Sequence, residues 1–265
     1  MVSKKDLWRS YNDIAHTYRE MSPAADAIGE ALVEYAAPAA GARLLDVGAG
    51  RGAVAQAAVA RGCQVTAVDA APRMVELLAA DLPQARVHLM DASALELADS
   101  TFDVVTGGYL LDVLPDPAAA VAELHRVMEP GGTVALSEPC PVRPRLEWLH
   151  ELAADFWSRP STEQAAAERT AALERVEQLL RDAGFTGLTT DGWERQIPFS
   201  SPGRMWDYLS NKGVGEALEV LASPERGVQE TVPQGCPGDA ECAWARPRPG
   251  RGPLSGAEAI VTTRV

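Results

Sequence analysis

The chain contains three glycines at alternating positions, Gly48, Gly50 and Gly52. They follow an apolar segment, Arg43–Val47, and precede an alanine-rich run, Ala53–Ala60. Glycine tolerates a tight turn and lets backbone amides approach a ligand where a side chain would clash. Amides at a helix N-terminus bind the polar end of a nucleotide-like molecule. The spacing therefore predicts a strand, a glycine loop and a helix that together form a cofactor pocket.

The glycine loop alone does not identify the cofactor. Gly48–Ala53 satisfies the dinucleotide pattern G-x-G-x-x-G/A and also the tighter pattern G-x-G-x-G. Asp46 lies two residues before the first glycine, inside the end of the apolar segment. A carboxylate there would repel a pyrophosphate, whereas it can help to hold an ammonium group. Asp46 therefore favours a cofactor other than a nicotinamide or flavin dinucleotide.

Two further aspartates end or follow apolar segments. Asp69 closes the segment Gln64–Asp69 and can accept hydrogen bonds from both hydroxyls of a ribose, although it can also cap a helix that begins at Pro72. Asp91 follows the next segment, where an acidic side chain can meet an adenine amino group or can be an ordinary loop residue. The turn Pro130-Gly131-Gly132 then leads directly into a fifth apolar segment.

Short apolar runs alternate with helical patterns between residues 41 and 139, which is typical of a parallel sheet with crossover helices. Strands are expected at Arg43–Val47, Gln64–Asp69, Ala85–Met90, Phe102–Thr106 and Gly132–Ser137. Helices are expected at 53–61, 72–81 and 117–128. The prolines at 72 and 117 fit the first turn of a helix, where a missing N–H is tolerated.

The flanking segments have a different pattern. Helices are expected before the first strand at Asp6–Glu20 and Ala24–Ala37, and after the fifth strand at Leu146–Ser158 and Glu163–Gly184. Closing strands are expected at Phe185–Thr190 and Ile260–Arg264. The segment Pro233–Gly256 is rich in Pro, Gly and Arg and has neither helical nor strand periodicity. It is therefore expected to be a loop or a disordered segment.

These motifs, in this order, resemble the class I S-adenosylmethionine-dependent methyltransferases, in particular the ubiquinone/menaquinone-methyltransferase-like group that acts on small molecules. The matching segments are Leu44–Gly52, Val65–Asp69, Met90–Ala92, Phe102–Val105, Leu114–Pro117 and Leu124–Gly132. The resemblance covers residues 8–139 well and continues weakly at Gly184-Phe185. It implies an α/β, Rossmann-like three-layer sandwich with a mostly parallel seven-stranded sheet, N-terminal lid helices and a helical substrate cap.

The same resemblance implies four regions along the chain. Residues 1–40 would form the lid helices, residues 41–139 the S-adenosylmethionine-binding core, and residues 140–184 the helical cap. Residues 185–265 would form the closing strands, with an irregular insertion at about 195–256.

The resemblance also implies which residues contact the cofactor. The methionine end would lie against Asp46 and the glycine loop, and the ribose against Asp69. Asp91 would lie at the adenine, and Gly107 would approach the cofactor with its backbone. The full set of expected cofactor-binding residues is Tyr11, Tyr18, Asp46, Gly48, Ala49, Gly50, Gly52, Asp69, Ala70, Met74, Asp91, Ala92 and Gly107.

Three side chains are candidate catalytic bases. A base is needed only if the methyl acceptor arrives protonated, as a phenol, alcohol, ammonium or acidic carbon does. Asp112 stands where relatives often carry histidine, Glu138 leaves the fifth strand toward the expected substrate pocket, and His16 lies on the lid helix. Each has an alternative structural role: Asp112 as a helix cap, Glu138 as an ion-pair partner of Arg143 or Arg145, and His16 as a surface residue.

The composition limits the classes of partner and the location that are expected for this protein. The net charge is −13 and basic residues are scattered, which argues against a nucleic-acid substrate. No apolar run approaches the roughly 20 residues needed to span a bilayer, and the first residues lack a secretory pattern, so a cytoplasmic monomer or homodimer is expected. The four cysteines, Cys63, Cys140, Cys236 and Cys242, lack zinc-type spacing and are expected to be free thiols, with no metal bound.

The expected function is S-adenosylmethionine-dependent methyl transfer to oxygen, nitrogen or carbon of a small-molecule acceptor, such as a secondary metabolite or a quinone-like compound. Two alternatives keep the cofactor. One is a cyclase or rearrangement enzyme that does not transfer the methyl group, and the other is a non-catalytic cofactor-binding partner of another protein. A nicotinamide oxidoreductase is a minor further alternative, which predicts binding of NAD(P)H.

Overall fold

The computed structural model describes residues 7–22, 25–139, 162–196 and 255–264. Its strands are β1 (Arg43–Val47), β2 (Gln64–Asp69), β3 (Arg86–Leu89), β4 (Phe102–Gly108), β5 (Met128–Pro139), β6 (Thr186–Gln196) and β7 (Ser255–Arg264). They form one seven-stranded sheet in the order β3-β2-β1-β4-β5-β7-β6. Strands β1 to β5 pair in parallel, and β7 runs antiparallel to β5. The predicted α/β fold with a mostly parallel seven-stranded sheet is confirmed.

The helices flank this sheet, and several begin where local chemistry favours it. They are α1 (Leu7–Ile14), α2 (Tyr18–Met21), α3 (Ala25–Ala36), α4 (Ala53–Ala60), α5 (Pro72–Asp81), α6 (Pro117–Val127) and α7 (Thr162–Asp182). Helix α6 shows why: Asp116 accepts a hydrogen bond from the Ala119 amide at 3.0 Å, and Pro117 occupies the first turn. The bounds of β1, β2 and α5 agree residue for residue with the sequence prediction.

The first expected helix, Asp6–Glu20, is divided in two by a turn. Helix α1 ends at Ile14 and α2 begins at Tyr18. The Thr17 hydroxyl donates a hydrogen bond to the Ile14 carbonyl at 3.2 Å, which satisfies an acceptor at the end of α1. Ala15, inside the turn, is fully buried. A local hydrogen bond and a buried contact thus replace the continuous helix that periodicity alone predicted.

Strand β5 begins at Met128, earlier than the predicted start at Gly132. Phe102 pairs with Met128, whereas Val104 pairs with Thr133, so the register shifts between these two positions. Gly131, at φ +81°, lies between Met128 and Thr133, where the register shifts. The turn expected from Pro130-Gly131-Gly132 is therefore an irregularity within a longer strand.

Helix α3 belongs to the core rather than to a lid. Its residues Ile28, Leu32 and Val33 are buried. A Cβ atom at Gly29 would lie 2.5 Å from the Ala53 carbonyl carbon, so α3 and α4 approach each other closely at this glycine. Among residues 1–40, which the resemblance assigned to lid helices, α3 is thus part of the core. A lid role for α1 and α2 stays a prediction.

Helix α7 also contributes to the core. Val176 and Leu180 pack in one hydrophobic cluster with Phe185 and Val261. The chain separates into two compact units, and Ala167–Trp193 belongs to the unit that contains the sheet. Part of the region predicted as a cap, residues 140–184, is thus a structural element of the core.

The second unit comprises Val142–Ala166 and Glu194–Ala257, most of which lies outside the described residues. The expected helix Leu146–Ser158 falls there, as does most of the expected irregular insertion. The ends of that insertion are corrected, because residues 195–196 lie in β6 and residues 255–256 in β7. Among the described helices, none combines the length and apolar character needed to cross a membrane.

Candidate active site

The glycine loop connects β1 to α4 and has left-handed backbone at all three glycines. Their φ angles are +68° at Gly48, +53° at Gly50 and +81° at Gly52. A Cβ at Gly52 would lie 2.2 Å from Leu78 Cδ1, so this glycine allows close packing of the loop on α5. A Cβ at Gly50 would meet nothing within 4 Å, and Gly50 lines a pocket. The loop thus holds an open cradle at Gly50, as expected for a site that receives a ligand against the backbone.

Asp69 joins the end of β2 to the glycine loop. One carboxylate oxygen accepts the Gly50 amide and the other accepts the Ala71 amide, each at 2.8 Å. Burial raises the pKa of Asp69, while the backbone donors, including Ala70, act against that increase. A carboxylate has about four acceptor sites, so two oxygens that each accept one amide can still accept ribose hydroxyls. Asp69 lies at the pocket wall where the sequence placed it.

Asp46 lies under the glycine loop and is 1% exposed. Its carboxylate accepts the Ala55 amide in the first turn of α4 at 3.1 Å and faces the Thr106 hydroxyl at 3.1 Å. Burial raises the pKa of Asp46 to about 7, and the negative charge of Asp69 adds to the increase. Asp46 does not line the pocket. It can therefore act on a ligand through its charge and through the loop rather than by direct contact at this wall.

A pocket opens where β1, β2 and β4 end, and the glycine loop forms one of its walls. Its space is about 940 Å³ when the open mouth and the solvent in it are included. It is lined by Leu7, Trp8, Tyr11, Tyr18, Val47, Gly48, Gly50, Asp69, Ala70, Met74, Met90, Asp91, Ala92, Gly108, Tyr109, Leu110, Val113, Leu114 and Pro115. The crevice beyond the carboxyl ends of strands is where open α/β sheets bind ligands.

Tyr11 and Tyr18 close one side of the pocket. Their ring centroids lie 6.1 Å apart at an interplanar angle of 65°, an edge-to-face arrangement. Burial raises the pKa of Tyr11 to about 12, and the nearby charges of Tyr18, Asp112 and Asp69 add to this increase. Both rings pack near Met74, which is almost fully buried and also lines the pocket. The structure thus brings together the two tyrosines and the helix α5 methionine that the sequence proposed.

Asp91 and Ala92 form the pocket wall after β3. The Asp91 carboxylate accepts the Ser93 amide at 2.8 Å, which orders the turn in which it lies. Asp91 is exposed and Ala92 is buried, so the polar side chain remains accessible beside an apolar floor. Both line the pocket, as does Ala70. Binding of the adenine by Asp91 and Ala92 stays a prediction.

Four of the proposed cofactor residues do not line the pocket. Besides Asp46, they are Ala49, Gly52 and Gly107. A Cβ at Gly107 would lie 2.8 Å from Leu110 Cδ2, so Gly107 allows the chain to pack tightly after β4. The next residue, Gly108, lines the pocket instead. Alternation along a strand explains the exchange, because successive residues point to opposite faces of the sheet.

The sequence prediction also missed pocket residues. Leu7 and Trp8 come from the start of α1, and Leu110 and the segment 113–115 follow β4. Tyr109 has a φ of +52°, a conformation that is rare for a residue with a side chain, and its amide donates to the Ser137 carbonyl at 3.0 Å. No sequence pattern indicates this backbone. For the missed residues, the signals available in the sequence were the apolar Leu7, which follows Asp6, and the apolar run after the strand predicted at Phe102–Thr106.

Glu138 and Asp112 come together beside the chain that follows β4. Glu138 is 7% exposed, and its Oε1 has no hydrogen-bond partner within the described structure. Burial raises the pKa of Glu138 to about 7, the charge of Asp112 adds to the increase, and a bond from the Leu111 amide opposes it. Asp112 is exposed and lies in the short 3-10 turn Leu111–Val113. Arg143 and Arg145, the alternative partners considered for Glu138, lie outside the described residues.

His16 lies away from these two acids. Its Nε2 accepts from Nε of Arg73 at 2.8 Å. Arg73 also pairs with Glu76, and its backbone amide donates a hydrogen bond to Asn12 Oδ1. His16 is exposed and does not line the pocket. The structure therefore assigns His16 to the attachment of α1 and α2 to α5.

Within the described ranges, no group of three or more His, Cys, Asp or Glu side chains is arranged to hold a metal ion. Cys63 is a buried free thiol, and burial raises its pKa. The other three cysteines lie outside the described residues. The absence of a metal from the whole chain stays a prediction.

Comparison with known proteins adds independent evidence. Residues 45–136 match the family of the methyltransferase domain. The chain is 35% identical over 150 residues to the uncharacterized methyltransferase Rv3342 of Mycobacterium tuberculosis, which covers 57% of this chain and 60% of that protein. It is 30% identical over 146 residues to the aklanonic acid methyltransferase DauC of Streptomyces sp. (strain C5), covering 51% and 66%. The chain thus spans about 60% of the length of the first relative.

A solved structure supports the fold. The YcgJ protein of Bacillus subtilis superimposes with a TM-score of 0.55 at 20% identity, over 89% of this chain and 97% of that chain. The sheet order, the glycine loop and the matched methyltransferase domain agree with one another. The matched segment, residues 45–136, is therefore a methyltransferase domain, and its fold is that of the class I S-adenosylmethionine-dependent methyltransferases.

Proposed function

We propose that this protein binds S-adenosylmethionine in the pocket described above and transfers its methyl group to oxygen, nitrogen or carbon of a small molecule. The observation that carries the proposal is the junction of Asp69 with the glycine loop at the pocket wall. The open cradle at Gly50 and the described wall residues, which include Asp69 and Asp91 and no Lys or Arg, fit a cationic nucleoside better than a pyrophosphate. When bound, the cofactor supplies an electrophilic sulfonium methyl group.

The pocket residues divide into a cofactor side and an acceptor side. On the cofactor side, Asp69 would accept the ribose hydroxyls, and Asp91 with Ala92 would bind the adenine. Tyr11 and Tyr18 would cover the cofactor and exclude water. Holding two reactants in line can lower the barrier by several kcal/mol, so positioning is the main task of these side chains.

The acceptor side has a wall that is largely apolar. Trp8 and the chain after β4, including Val113, Leu114 and Pro115, line the pocket there. Such a wall suits a flat or hydrophobic organic molecule. The relative DauC is named for aklanonic acid, which supports a small-molecule acceptor. The scattered basic residues and net charge of −13 argue against nucleic acid.

Glu138 is the proton acceptor that we propose for an acceptor that arrives protonated. Its pKa of about 7 matches the value at which a general base is most effective near neutral pH. The acceptor oxygen or nitrogen would use a lone pair to form its bond to the methyl carbon as the S–C bond breaks. The electron pair of the S–C bond would pass to sulfur, and the proton of the acceptor would pass to Glu138. Asp112 would raise the basicity of Glu138 through its charge. His16 has no part in this step.

Ligand binding and product mass test the proposal. S-adenosylhomocysteine should raise the thermal stability of the protein, whereas NADH should not, because a ligand that binds only the native state stabilises it. Incubation with methyl-labelled S-adenosylmethionine and a panel of phenols, carboxylic acids and amines should give a product heavier by one methyl group. A product of unchanged mass would instead support a cyclase or rearrangement enzyme, and stabilisation by NADH would contradict the cofactor.

Location and assembly stay predictions. A cytoplasmic location would be tested by fractionation of the producing cells. Monomer or homodimer would be tested by light scattering at two protein concentrations, because a reversible dimer dissociates on dilution.

A further inference from the structure

Asp46 and Asp69 lie side by side under and beside the glycine loop without a cationic partner. Within the part of the chain that the structure describes, neither forms an ion pair. Asp46 meets only the Ala55 amide and the Thr106 hydroxyl, and Asp69 accepts backbone amides. The nearby guanidinium of Arg51 is directed to the Ala15 carbonyl and to Asp81. Buried carboxylates without a cation are costly, so such a pair is suited to a ligand that brings positive charge.

The hydrogen bonds around Asp46 are compatible with two protonation states. Thr106 Oγ1 lies 3.1 Å from Asp46 Oδ1 and 3.3 Å from the Leu45 carbonyl oxygen. A hydroxyl has one proton to donate and can also accept. When Asp46 is ionised, Thr106 donates to it. When Asp46 carries a proton, Asp46 donates to Thr106 and Thr106 donates to the Leu45 carbonyl, so no donor is left without an acceptor.

We infer that Asp46 exchanges a proton with solvent according to the charge of the bound nucleoside: it releases the proton when the sulfonium form binds and keeps it when the uncharged thioether form binds. This inference rests on the proposed function. It makes Asp46 a specificity-determining residue that distinguishes the methyl donor from the demethylated product. After methyl transfer the sulfonium charge is lost, Asp46 takes up a proton again, and the charge attraction that favoured the donor disappears.

The surroundings of Asp46 support this role. Strand β2 presents the Asp69 carboxyl, whose charge when ionised raises the pKa of Asp46, while β4 presents the neutral Thr106 hydroxyl and α4 presents the Ala55 amide. Tyr11 and Tyr18, near Asp69, have raised pKa values and carry no charge at neutral pH. Burial holds the pKa of Asp46 at about 7. A cation in the pocket is therefore the change that favours ionisation of Asp46.

Binding calorimetry tests the inference with S-adenosylmethionine and S-adenosylhomocysteine as the probes. Titrations at pH 7 in phosphate and in Tris, which have different ionisation enthalpies, give the number of protons released. We expect S-adenosylmethionine to release more protons than S-adenosylhomocysteine, by up to about half a proton for a group with a pKa near the working pH. The ratio of their affinities should shift severalfold toward S-adenosylmethionine between pH 6 and pH 8.

Two variants and a matched control locate the effect. In Asp46→Asn the difference in proton release should vanish while S-adenosylhomocysteine still binds. Asp103→Asn, an aspartate at the opposite end of the sheet, should keep the full difference. Thr106→Val keeps the side-chain shape but removes the donor to ionised Asp46, so the pH midpoint of S-adenosylmethionine affinity should move up by about one unit. This variant serves as the test if Asp46→Asn does not fold.

The outcomes separate this inference from the proposed function. Equal proton release for both probes in the native protein, with both bound, overturns the inference and leaves the proposed function intact. An undiminished difference in Asp46→Asn, or an unmoved midpoint in Thr106→Val, also overturns it. Failure of both probes to bind overturns the proposed function itself.

Discussion

The two ends of the central sheet use the same side-chain types in opposite ways. At the amino end, Arg43 on β1 pairs with Asp103 on β4 at 2.6 Å and with Glu129 on β5 at 3.2 Å. Hydrogen bonds from Arg43 lower the pKa of Asp103. These acids are partly exposed and have a permanent cation. They connect three neighbouring strands.

At the carboxyl end the acids are buried and have no cation among the described residues. Asp46 lies on β1, the strand of Arg43, and Glu138 lies on β5, the strand of Glu129. Burial raises the pKa of both to about 7. The comparison shows that the pKa of an acid on this sheet is lowered where it pairs with Arg43 and is raised where it is buried without a cation among the described residues.

Replacing Glu138 should have the largest effect. Glu138→Gln removes the proposed proton acceptor and should lower the rate of methyl transfer by about 100- to 10,000-fold, with little change in the affinity for S-adenosylhomocysteine. The rate is measured as labelled methyl transfer to an acceptor from the panel. Glu129→Gln, on the same strand at the paired end, is the control and should keep the native rate. A rate in Glu138→Gln that equals the control would show that Glu138 is not the base.

The buried acids should also give the ligand-free protein an unusual pH dependence. Asp46 and Glu138 keep their protons in the folded chain up to about pH 7, whereas the unfolded chain loses them near pH 4. The free energy of unfolding should therefore fall as pH rises between those values, by about 1.4 kcal/mol per pH unit for each group at most. Urea unfolding at pH 5 and pH 7 measures this. The double variant Asp46→Asn with Glu138→Gln should flatten the slope, and an unchanged slope would contradict the assignment.

Asp69→Asn should weaken nucleoside binding. The variant loses a charged acceptor for the ribose hydroxyls, and hydrogen bonds to charged groups contribute about 1.5–3 kcal/mol. We expect the dissociation constant of S-adenosylhomocysteine to rise about 10- to 100-fold in calorimetry. Asp103→Asn should leave it unchanged. If the two variants bind equally well, Asp69 is a loop-ordering residue and not a ligand contact.

Removal of the ion pair between Arg43 and Asp103, at the amino end of the sheet, should have the smallest effect. Arg43 and Asp103 side chains are both 42% exposed, so the solvent screens their attraction. Asp103→Asn should lower the free energy of unfolding by about 1 kcal/mol or less at neutral pH. Because the folded-state pKa of Asp103 is lowered, this contribution is present above about pH 4 and is lost on acidification. Urea unfolding at pH 7 and pH 3 should therefore show a difference from the native protein only at pH 7.

Much of the fold could be predicted from local patterns. Strands β1 and β2 and helix α5 have the predicted bounds, because apolar periodicity, a first-turn proline and glycines at the loop act within a few residues. Local patterns could not predict the interruption between α1 and α2 or the irregular start of β5. The first depends on burial of Ala15 and the second on the register between β4 and β5.

The amino-acid sequence alone determined the loop-forming glycines, the aspartates at strand ends and the class of cofactor they favour, because these follow from residue type and spacing. Tertiary structure decided which of them face the pocket. Asp69 and Gly108 line the pocket, whereas Asp46 and Gly107 do not. His16 contacts Arg73 instead of the pocket. Tertiary structure also left Glu138 Oε1 without a partner in the described structure. Such outcomes depend on which distant segments pack together, and that packing sets the burial and charge on which chemistry depends.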